Sequence, residues 1–495
     1  MRIKTVRDIT LFLGIIRRPL GLLVLAGLLS SALYGQAQNQ PADTVVTVLD
    51  WPEFRSLILE NHPMARRALL LSEQGRWLER GARGFFDPKL YGDWDHKAFD
   101  EKQYWRMGDA GLKVPLPFGP ELSVGYQWNN GVFLNPERTI PDRGQAALGI
   151  NLPLLQGLFF DPGRAGIQQA KLEARVLEAE RSLLLNDLIH EGAKLYYNWV
   201  VADNMVRLLD RVLGVTFNRH QAIVDSYFAG ELPGVDTLES YLQVQNRMFD
   251  LQEAEVGLQQ ARLELITFLW NNQNQPADGF PWTAPGWNPD LLLRDDLFPA
   301  PNLSQPEWLH PKLQQLQFKM GSLEVDQRLA QQMRLPKLDV NYYFLGNGWN
   351  FVPTSTGGDQ SSSVFTQDYK WGATFNWPLF MRKETAKIQL TQIKMEQNRM
   401  DQSFTLQDIT NKVRAYQAQF STVNQQIVLF RSAVDNYSRL LSAELEKFEL
   451  GESSIFLINS REQKLIEAQE KLLKLQGKYY KLQASAAWAA GRLGE

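Results

Sequence analysis

Tyr369-Lys370-Trp371-Gly372-Ala373-Thr374-Phe375-Asn376-Trp377-Pro378-Leu379-Phe380 alternates apolar and polar residues with a period of two and then breaks at a proline. A period of two marks an amphipathic β-strand, because successive side chains point to opposite faces. From Leu379 to the C-terminus there is no proline, although the chain has 24, so a very long helix is free to follow the strand. Upstream, Leu338, Val340, Tyr342 and Phe344 alternate with Asp339, Asn341 and Tyr343 in the same way. This half of the chain therefore holds one strand pair, joined by the Gly/Ser/Thr-rich segment Gly346 to Ser363.

Working outward, the same signals recur in the same order. Asn151-Leu152-Pro153-Leu154-Leu155 matches Asn376-Trp377-Pro378-Leu379-Phe380. His62-Pro63 precedes Pro88-Lys89-Leu90 by 24 intervening residues, and His310-Pro311 precedes Pro336-Lys337-Leu338 by the same 24. Gly230-Glu231 and Gly451-Glu452 lie 77 and 73 residues beyond Pro153 and Pro378. Each dipeptide alone is noise; their shared order identifies a duplication. The proline-free interval from Pro162 to Pro233 predicts a helix from about 162 to 229, about 100 Å long. Apolar stripes at coiled-coil spacing run Leu184, Leu188, Leu195, Trp199, Ala202, Val206, Leu209 and again Ile427, Phe430, Val434, Tyr437, Leu441, Phe448. The expected organisation is a first repeat over 45–270 with strands within 88–155 and a tip near 230–240. An irregular connector follows over 271–308, then a second repeat over 309–495 with strands within 336–379 and a tip near 451–460.

Composition excludes several classes of function. The 495 residues include no cysteine, which rules out a disulfide scaffold, a thiol nucleophile and an iron–sulfur cluster. With 52 basic and 55 acidic residues the net charge is −3, without the basic footprint of a nucleic-acid binder. The five histidines, His62, His96, His190, His220 and His310, show no metal-ligand spacing. No nucleophile–base arrangement stands out, so neither an enzyme nor a cofactor is expected. Basic residues Arg2, Lys4, Arg7, Arg17 and Arg18, the mostly apolar run Leu20 to Leu33, and Gly35-Gln36-Ala37 predict a signal peptide over residues 1–37. Beyond the first forty residues no apolar run approaches the roughly 20 that a membrane helix needs.

An exported chain whose amphipathic strands are about ten residues long fits an outer-membrane barrel. Four to six strands cannot close one alone, so several chains must share it. The long helices must then leave the membrane and pack in the aqueous compartment. On these residues the chain resembles the TolC-type outer-membrane efflux protein family. The resemblance rests on His62-Pro63 and His310-Pro311, where the family usually has Asn-Pro, on both Pro-Lys-Leu motifs, on Pro153-Leu154 and Pro378-Leu379, and on Gly230 and Gly451 at the hairpin tips.

That resemblance implies an α+β membrane protein of the Gram-negative outer membrane. A homotrimer with a 12-stranded barrel, four strands per chain, would continue into a long antiparallel α-helical periplasmic tunnel. It would be the passive exit duct of a tripartite efflux or type I secretion system, embedded in outer-membrane lipid and met by a periplasmic adaptor and an inner-membrane pump. The competing reading is a structural or adhesive coiled-coil envelope protein, which needs the helices but no lipid-facing strands.

The resemblance also nominates sites. Gly230 to Asp236 fits the family's Gly-x5-Asp spacing for an acidic gate ring, whereas the second tip has Leu457 at that place. The positions where the family tends to carry latching Tyr and Arg are Phe448 and Ser453 here, so any latch is built differently. Glu231 and Glu452 are repeat-equivalent candidates for the same ring. The plainer alternative has Asp236 capping a helix that begins near Thr237, with both glutamates solvated. Gly230 and Gly451 mark the tips for adaptor docking. Trp94, Trp128, Tyr342, Tyr343, Trp371 and Trp377 are candidates for membrane-interface girdles; Trp377, beside Pro378, has junction packing as its alternative.

The first half carries 23 residues more than the second between its strand prolines, enough for one additional hairpin, Leu112–Phe118 with Glu121–Trp128. Pro115 and Pro117 would each remove a ladder donor from an interior strand. The hairpin is therefore expected outside a 12-stranded wall, the alternative being eighteen strands with Val114 and Val124 facing lipid.

Overall fold

The computed structural model describes residues 47–277, 279–282, 284–286, 298, 310–351 and 368–494. The expected signal peptide and most of the connector lie outside them. Seven α-helices are described: α1 Trp51–Asn61, α2 Pro63–Arg83, α3 Pro162–Phe228, α4 Gly234–Ile266, α5 Pro311–Gln332, α6 Arg382–Glu449 and α7 Ile455–Ala489. The strands are β1 Val48–Leu49, β2 Lys89–Phe99, β3 Lys102–Pro115, β4 Glu121–Asn130, β5 Gln145–Pro153, β6 Ala284–Pro285, β7 Lys337–Asn347 and β8 Tyr369–Asn376. β1 and β6 form a short parallel pair, tying the connector to the start of the described chain.

The two His-Pro motifs start equivalent helices. Met64 N–H donates to His62 Nδ1 and Lys312 N–H to His310 Nδ1, each at 3.1 Å. A neutral imidazole nitrogen thus does what an asparagine oxygen does at an N-cap, and the proline takes the first helical position, where no N–H is needed. Both rings are buried. Burial lowers the pKa of His62, and burial together with Lys412 and Lys312 lowers that of His310 to about 4. α3 begins on Asp161, which accepts from Arg164 N–H at 2.9 Å. It then runs 67 residues unbroken to Phe228, as the proline map requires.

β2–β3–β4–β5–β7–β8 form one antiparallel sheet in that order. Its faces are chemically distinct. Leu90, Leu112, Val124, Leu148, Phe344 and Tyr369 are direct cross-strand neighbours spanning all six strands. The next row, Lys89, Lys113, Ser123, Gly149, Tyr343 and Lys370, lies on the opposite face and is largely polar. Further out on that face Asp93 pairs with Asp109 and Asp109 with Gln127.

The additional hairpin is therefore part of the same sheet, contrary to the expectation that placed it outside. Its prolines do no harm because of where β2 begins. The first rung of β2 is Lys89 opposite Lys113, so Pro115 and Pro117 lie beyond it. Leu116 N–H donates to Pro120 O at 2.8 Å, toward β4. Successive residues of a strand turn their N–H groups to opposite sides, so Pro115 and Pro117 face the side where no strand remains. The 116–120 turn sits beside Gly157, Leu158 and Arg164 at the start of α3, whereas the two-residue β2–β3 turn at the other end uses Asp100 and Glu101 with φ of +52° and +57°. The far end thus carries both the tightest turn, at 100–101, and the longer connection over 131–144.

In the helical layer α3 packs against α2, α4, α5 and α7, while α6 packs against α5 and α7. Near the sheet the lateral order is α2, α3, α5, α6; toward the tips it is α4, α3, α7, α6. Each long helix is thus flanked by a short helix at each level, the structural form of the duplication. Between the levels lies an aromatic core: Tyr197 stacks on Tyr480 at 4.9 Å, and Trp51 contacts Tyr196 at 5.8 Å. Trp199, expected on the apolar stripe, is completely buried there, with Phe280 and Trp282 of the connector packed on the same cluster. His190 is buried nearby, stacked on Trp488 at 4.7 Å and bonded to Ser485; burial first, then Lys194, lowers its pKa to about 4.

Acid should weaken this fold in a defined window. An unfolded histidine takes up its proton near pH 6.5, whereas folded His190 and His310 resist until about pH 4. Their support is complete above pH 6.5 and drains as pH falls toward 4, by at most about 1.4 kcal/mol per pH unit for each histidine. His62→Asn with His310→Asn keeps both caps without a titrating nitrogen. The loss of melting temperature between neutral pH and about pH 5, followed by helical circular dichroism, should shrink in this double variant; an equal loss would show that the caps do not titrate with folding. The sheet register is checked separately. Cysteines replacing Val114 and Val124 should react with a lipid-dissolved maleimide in reconstituted vesicles, whereas one replacing Ser123 should react only from water. Protection of Val114→Cys and Val124→Cys from the lipid reagent would remove the hairpin from the wall.

Candidate functional site

The two hairpin tips turn by the same backbone device. At the first, Ala229 N–H donates to Asp225 O, Gly230 N–H to Tyr227 O and Glu231 N–H to Ser226 O; at the second, Leu450, Gly451 and Glu452 donate to Glu446, Phe448 and Lys447. Gly230 and Gly451 take φ of +82° and +77°, and the space where a Cβ would stand is open at both. Glycine is needed there for its backbone conformation, as at most helix C-termini, and not for room.

Glu231 and Glu452 are exposed, one on each tip. Asp236 is half-buried in the first turn of α4, which starts at Gly234 with Pro233 as N-cap and no side-chain cap bond. The capping alternative for Asp236 is thereby corrected: the helix starts earlier than Thr237, and the carboxylate is a charge near a positive helix end, where it is favoured electrostatically. These three acids do not touch one another through any hydrogen bond or ion pair among the described residues.

What joins the hairpins is a polar layer just above the tips that sequence reading missed. Arg219 of α3 meets both oxygens of Glu462 on α7, with Nη1 to Oε2 at 3.3 Å. Arg247 of α4 donates to Asp250 at 2.9 Å and to Gln463 of α7 at 2.7 Å, with only 2% of its side chain exposed. Within the second hairpin, Ser453 donates to Glu444 at 2.6 Å and Arg461 stands at 3.5 Å from its other oxygen. The Ser453 hydroxyl, helped by Arg461, holds the Glu444 carboxyl below the usual range. Ser453, where the resemblance calls for a latching partner, therefore bonds within its own hairpin.

A signal for this layer exists in the sequence. Ser240, Val244, Arg247, Leu258, Ala261 and Leu265 are the buried positions of α4, and Ile455, Asn459, Glu462 and Ile466 are among those of α7. Both sets step by three, four and seven, so Arg247 and Glu462 are charges at core positions of a helical stripe. A charge in such a place needs a partner when buried.

Between α4 and α7, beside this layer, runs a groove of about 330 Å³ lined by Glu239, Leu242, Asn246, Phe456, Asn459 and Gln463. On the outer side of α4, Val235, Leu242, Phe249, Val256 and Leu263 recur every seven residues and all are exposed. On α6, Leu390, Ile393, Met400 and Phe404 form a second exposed stripe.

The nominated aromatics divide. Trp94 and Trp128 flank Gly108 on the apolar face with rings 5.9 Å apart, and a Cβ at Gly108 would meet the Trp128 ring at 2.2 Å. Tyr342 and Trp371 are direct partners on that face. All four sit along the strands, not at their ends, while Trp377 lies just past the helix-side end of β8. Tyr343 is on the polar face, its ring over Gly149. The aromatics at the far end are ones not singled out beforehand: Tyr104 with Phe133 at 4.9 Å and with Phe99 at 6.3 Å. No helix of the described residues is long and apolar enough to cross a membrane, and no group of histidine and acidic side chains among them could hold a metal ion.

Comparison with known proteins agrees with this architecture. The family model described as Outer membrane efflux protein matches residues 304–491. Comparison with curated proteins gave no match. The Campylobacter jejuni CmeC outer membrane channel is similar in structure with a TM-score of 0.61 and 14% identity, over 94% of this chain and 93% of that one. The open state of the Neisseria gonorrhoeae MtrE outer membrane channel gives 0.65 and 16% identity over 89% and 88%. The outer membrane protein VceC of Vibrio cholerae gives 0.62 and 13% over 89% and 96%. The second half of the chain thus matches the outer membrane efflux protein family, and the fold is shared with outer-membrane channels along nearly its whole length.

Proposed function

We propose that three copies of this chain form an outer-membrane exit duct of a tripartite efflux or type I secretion system, passing substrates from the periplasm or a pump to the exterior. One observation carries the reading: a six-stranded sheet with one apolar and one polar face continues directly into helices of 67 and 68 residues. A lipid-facing exterior and an aqueous interior need that division, and an adhesive coiled coil does not.

Trimerisation follows from closure. Six strands per chain are too few for a barrel with an open lumen, and three chains supply eighteen, a number that leaves an aqueous channel. The free edges β2 and β8 would pair between neighbours. The exposed stripe of α4 would meet the tip-side part of α6 on the next copy, where Val428 and Leu429 are exposed, closing the helical wall by the same rotation. This reading replaces the twelve strands that the family resemblance implied.

At the narrow end Asp236 is the leading gate residue, with Glu231 and Glu452 adding carboxylates to a threefold ring that would favour cations. The Arg219–Glu462 and Arg247–Gln463 ties would hold the two hairpins of each chain together while the ring is closed. The tips at Gly230 and Gly451, with the groove between α4 and α7, are the surface offered to a periplasmic adaptor. Phe228 and Leu450, 80% and 75% exposed beside the two glycines, give it apolar contact.

Light scattering in mild detergent, with the detergent mass subtracted, should give three chains per particle; a monodisperse single chain would refute closure. In planar bilayers the assembly should conduct with cation preference, and Asp236→Ala should move the reversal potential in a salt gradient toward zero without loss of the trimer. An unmoved potential would take Asp236 out of the gate.

A further inference from the structure

The segment that leads from β8 into α6 carries an apolar and basic shelf. Leu379 and Phe380 are 82% and 78% exposed, among the most open large apolar side chains of the described chain. Trp377 continues the apolar face of β8, on which Phe375 and Ala373 oppose Leu338 and Val340. Lys337 pairs with Asn376, and Arg334 and Leu335 lie three and two residues before it, in the turn that ends α5. Arg334, Leu335, Arg382 and Lys383 are all exposed, and the Arg382 guanidinium lies 5.2 Å over the Phe380 ring. Arg334, Arg382 and Lys383 make no ion pair among the described residues.

Two surroundings would suit exposed leucine and phenylalanine: a second copy of the chain or lipid. The core of a protein interface is depleted in charge, and the exposed Arg382 and Lys383, two and three residues beyond Phe380, are poorly placed for one. A phospholipid layer offers both halves of the match, acyl chains for Leu379 and Phe380 and phosphates for the cations. The shelf is also continuous through Trp377 with the apolar face of the sheet, so it stands where that face ends and the aqueous helices begin.

We infer that Leu379 and Phe380 insert into the periplasmic leaflet of the membrane, while Arg334, Arg382 and Lys383 engage the headgroups of anionic phospholipids there. This inference rests on the barrel reading of the sheet. It assigns to the strand–helix junction the task of setting the depth of the duct, and gives the duct a preference for anionic lipid at its aqueous rim.

The cysteine-free chain permits a direct test on the assembled protein. An environment-sensitive fluorophore is attached to Leu379→Cys, Phe380→Cys or, as a control in the wall, Val124→Cys. Each is reconstituted into phosphatidylcholine vesicles with or without phosphatidylglycerol. Labels at 379 and 380 should be quenched by lipids carrying a nitroxide near the headgroup and shielded from a neutral aqueous quencher. The quenching should deepen with phosphatidylglycerol, and the combined Arg334→Gln, Arg382→Gln, Lys383→Gln variant should lose that increment. Labels open to the aqueous quencher, or shielded from both quenchers by a neighbouring copy, would overturn insertion. Quenching indifferent to phosphatidylglycerol would overturn the headgroup assignment. A quenched control at 124 with unquenched labels at 379 and 380 defeats this inference alone, whereas an unquenched control defeats the barrel reading beneath it.

Discussion

A β-strand in hydrocarbon cannot leave the N–H and C=O groups of its edge unpaired, because each costs several kcal/mol there. In the proposed duct β2 and β8 are such edges, and the six-stranded sheet that they bound is too narrow to close on itself. On the proposed reading this need for closure conditions the rest of the molecule. It would make a single chain incomplete, call for a head-to-tail contact between copies, and have the helical layer close by the same rotation. The helices fit this: α2 and α6 end the lateral row near the sheet, α4 and α6 end it toward the tips, and all three keep exposed apolar side chains.

Duplication is how one chain meets that constraint economically. Each repeat supplies an opening helix capped by a His-Pro pair, a set of strands, and a long helix that turns back at a glycine of positive φ. The copies diverge where the wall is built. The first repeat places four strands in the sheet and the second two, yet inward and outward passes still alternate and both repeats still end on the helical side. An additional hairpin adds two passes at once and so leaves the direction of the following helix unchanged. That parity is why a 23-residue difference can widen the sheet without redirecting the helix that follows it.

The buried polar groups are concentrated at places that must hold geometry without a large core. Neutral histidines start α2 and α5, and the Arg219–Glu462 and Arg247–Gln463 bonds cross from the first hairpin to the second near the tips. Such bonds contribute less net stability than apolar packing would, but they favour one register and lose most when a single partner is removed. Mid-height, where Tyr197, Tyr480, Trp51 and Trp199 meet, apolar and aromatic packing takes over. Polar contacts thus join the hairpins near the tips, while mid-height combines apolar packing with the buried histidines His62, His190 and His310.

Much of this was legible without coordinates, and for local reasons. The proline map set the helix lengths because a ring nitrogen without a proton breaks a helix wherever it falls. Alternation at 338–344 and 369–377 set strands because side-chain direction has a period of two. Glycines 230 and 451 set the tips because only glycine accepts that backbone cheaply. What these signals lack is the identity of the partner. Pro115 and Pro117 read as barred from a sheet interior until the start of β2 at Lys89 showed that no donor was needed on their side. Asp236 read as the cap of a helix near Thr237 until α4 proved to start at Gly234. Arg219 was invisible because the residue that answers it, Glu462, is 243 positions away. Periodicity states that a helix or strand has a face; only the folded chain decides what that face meets, because packing partners are chosen by proximity in space and not along the sequence.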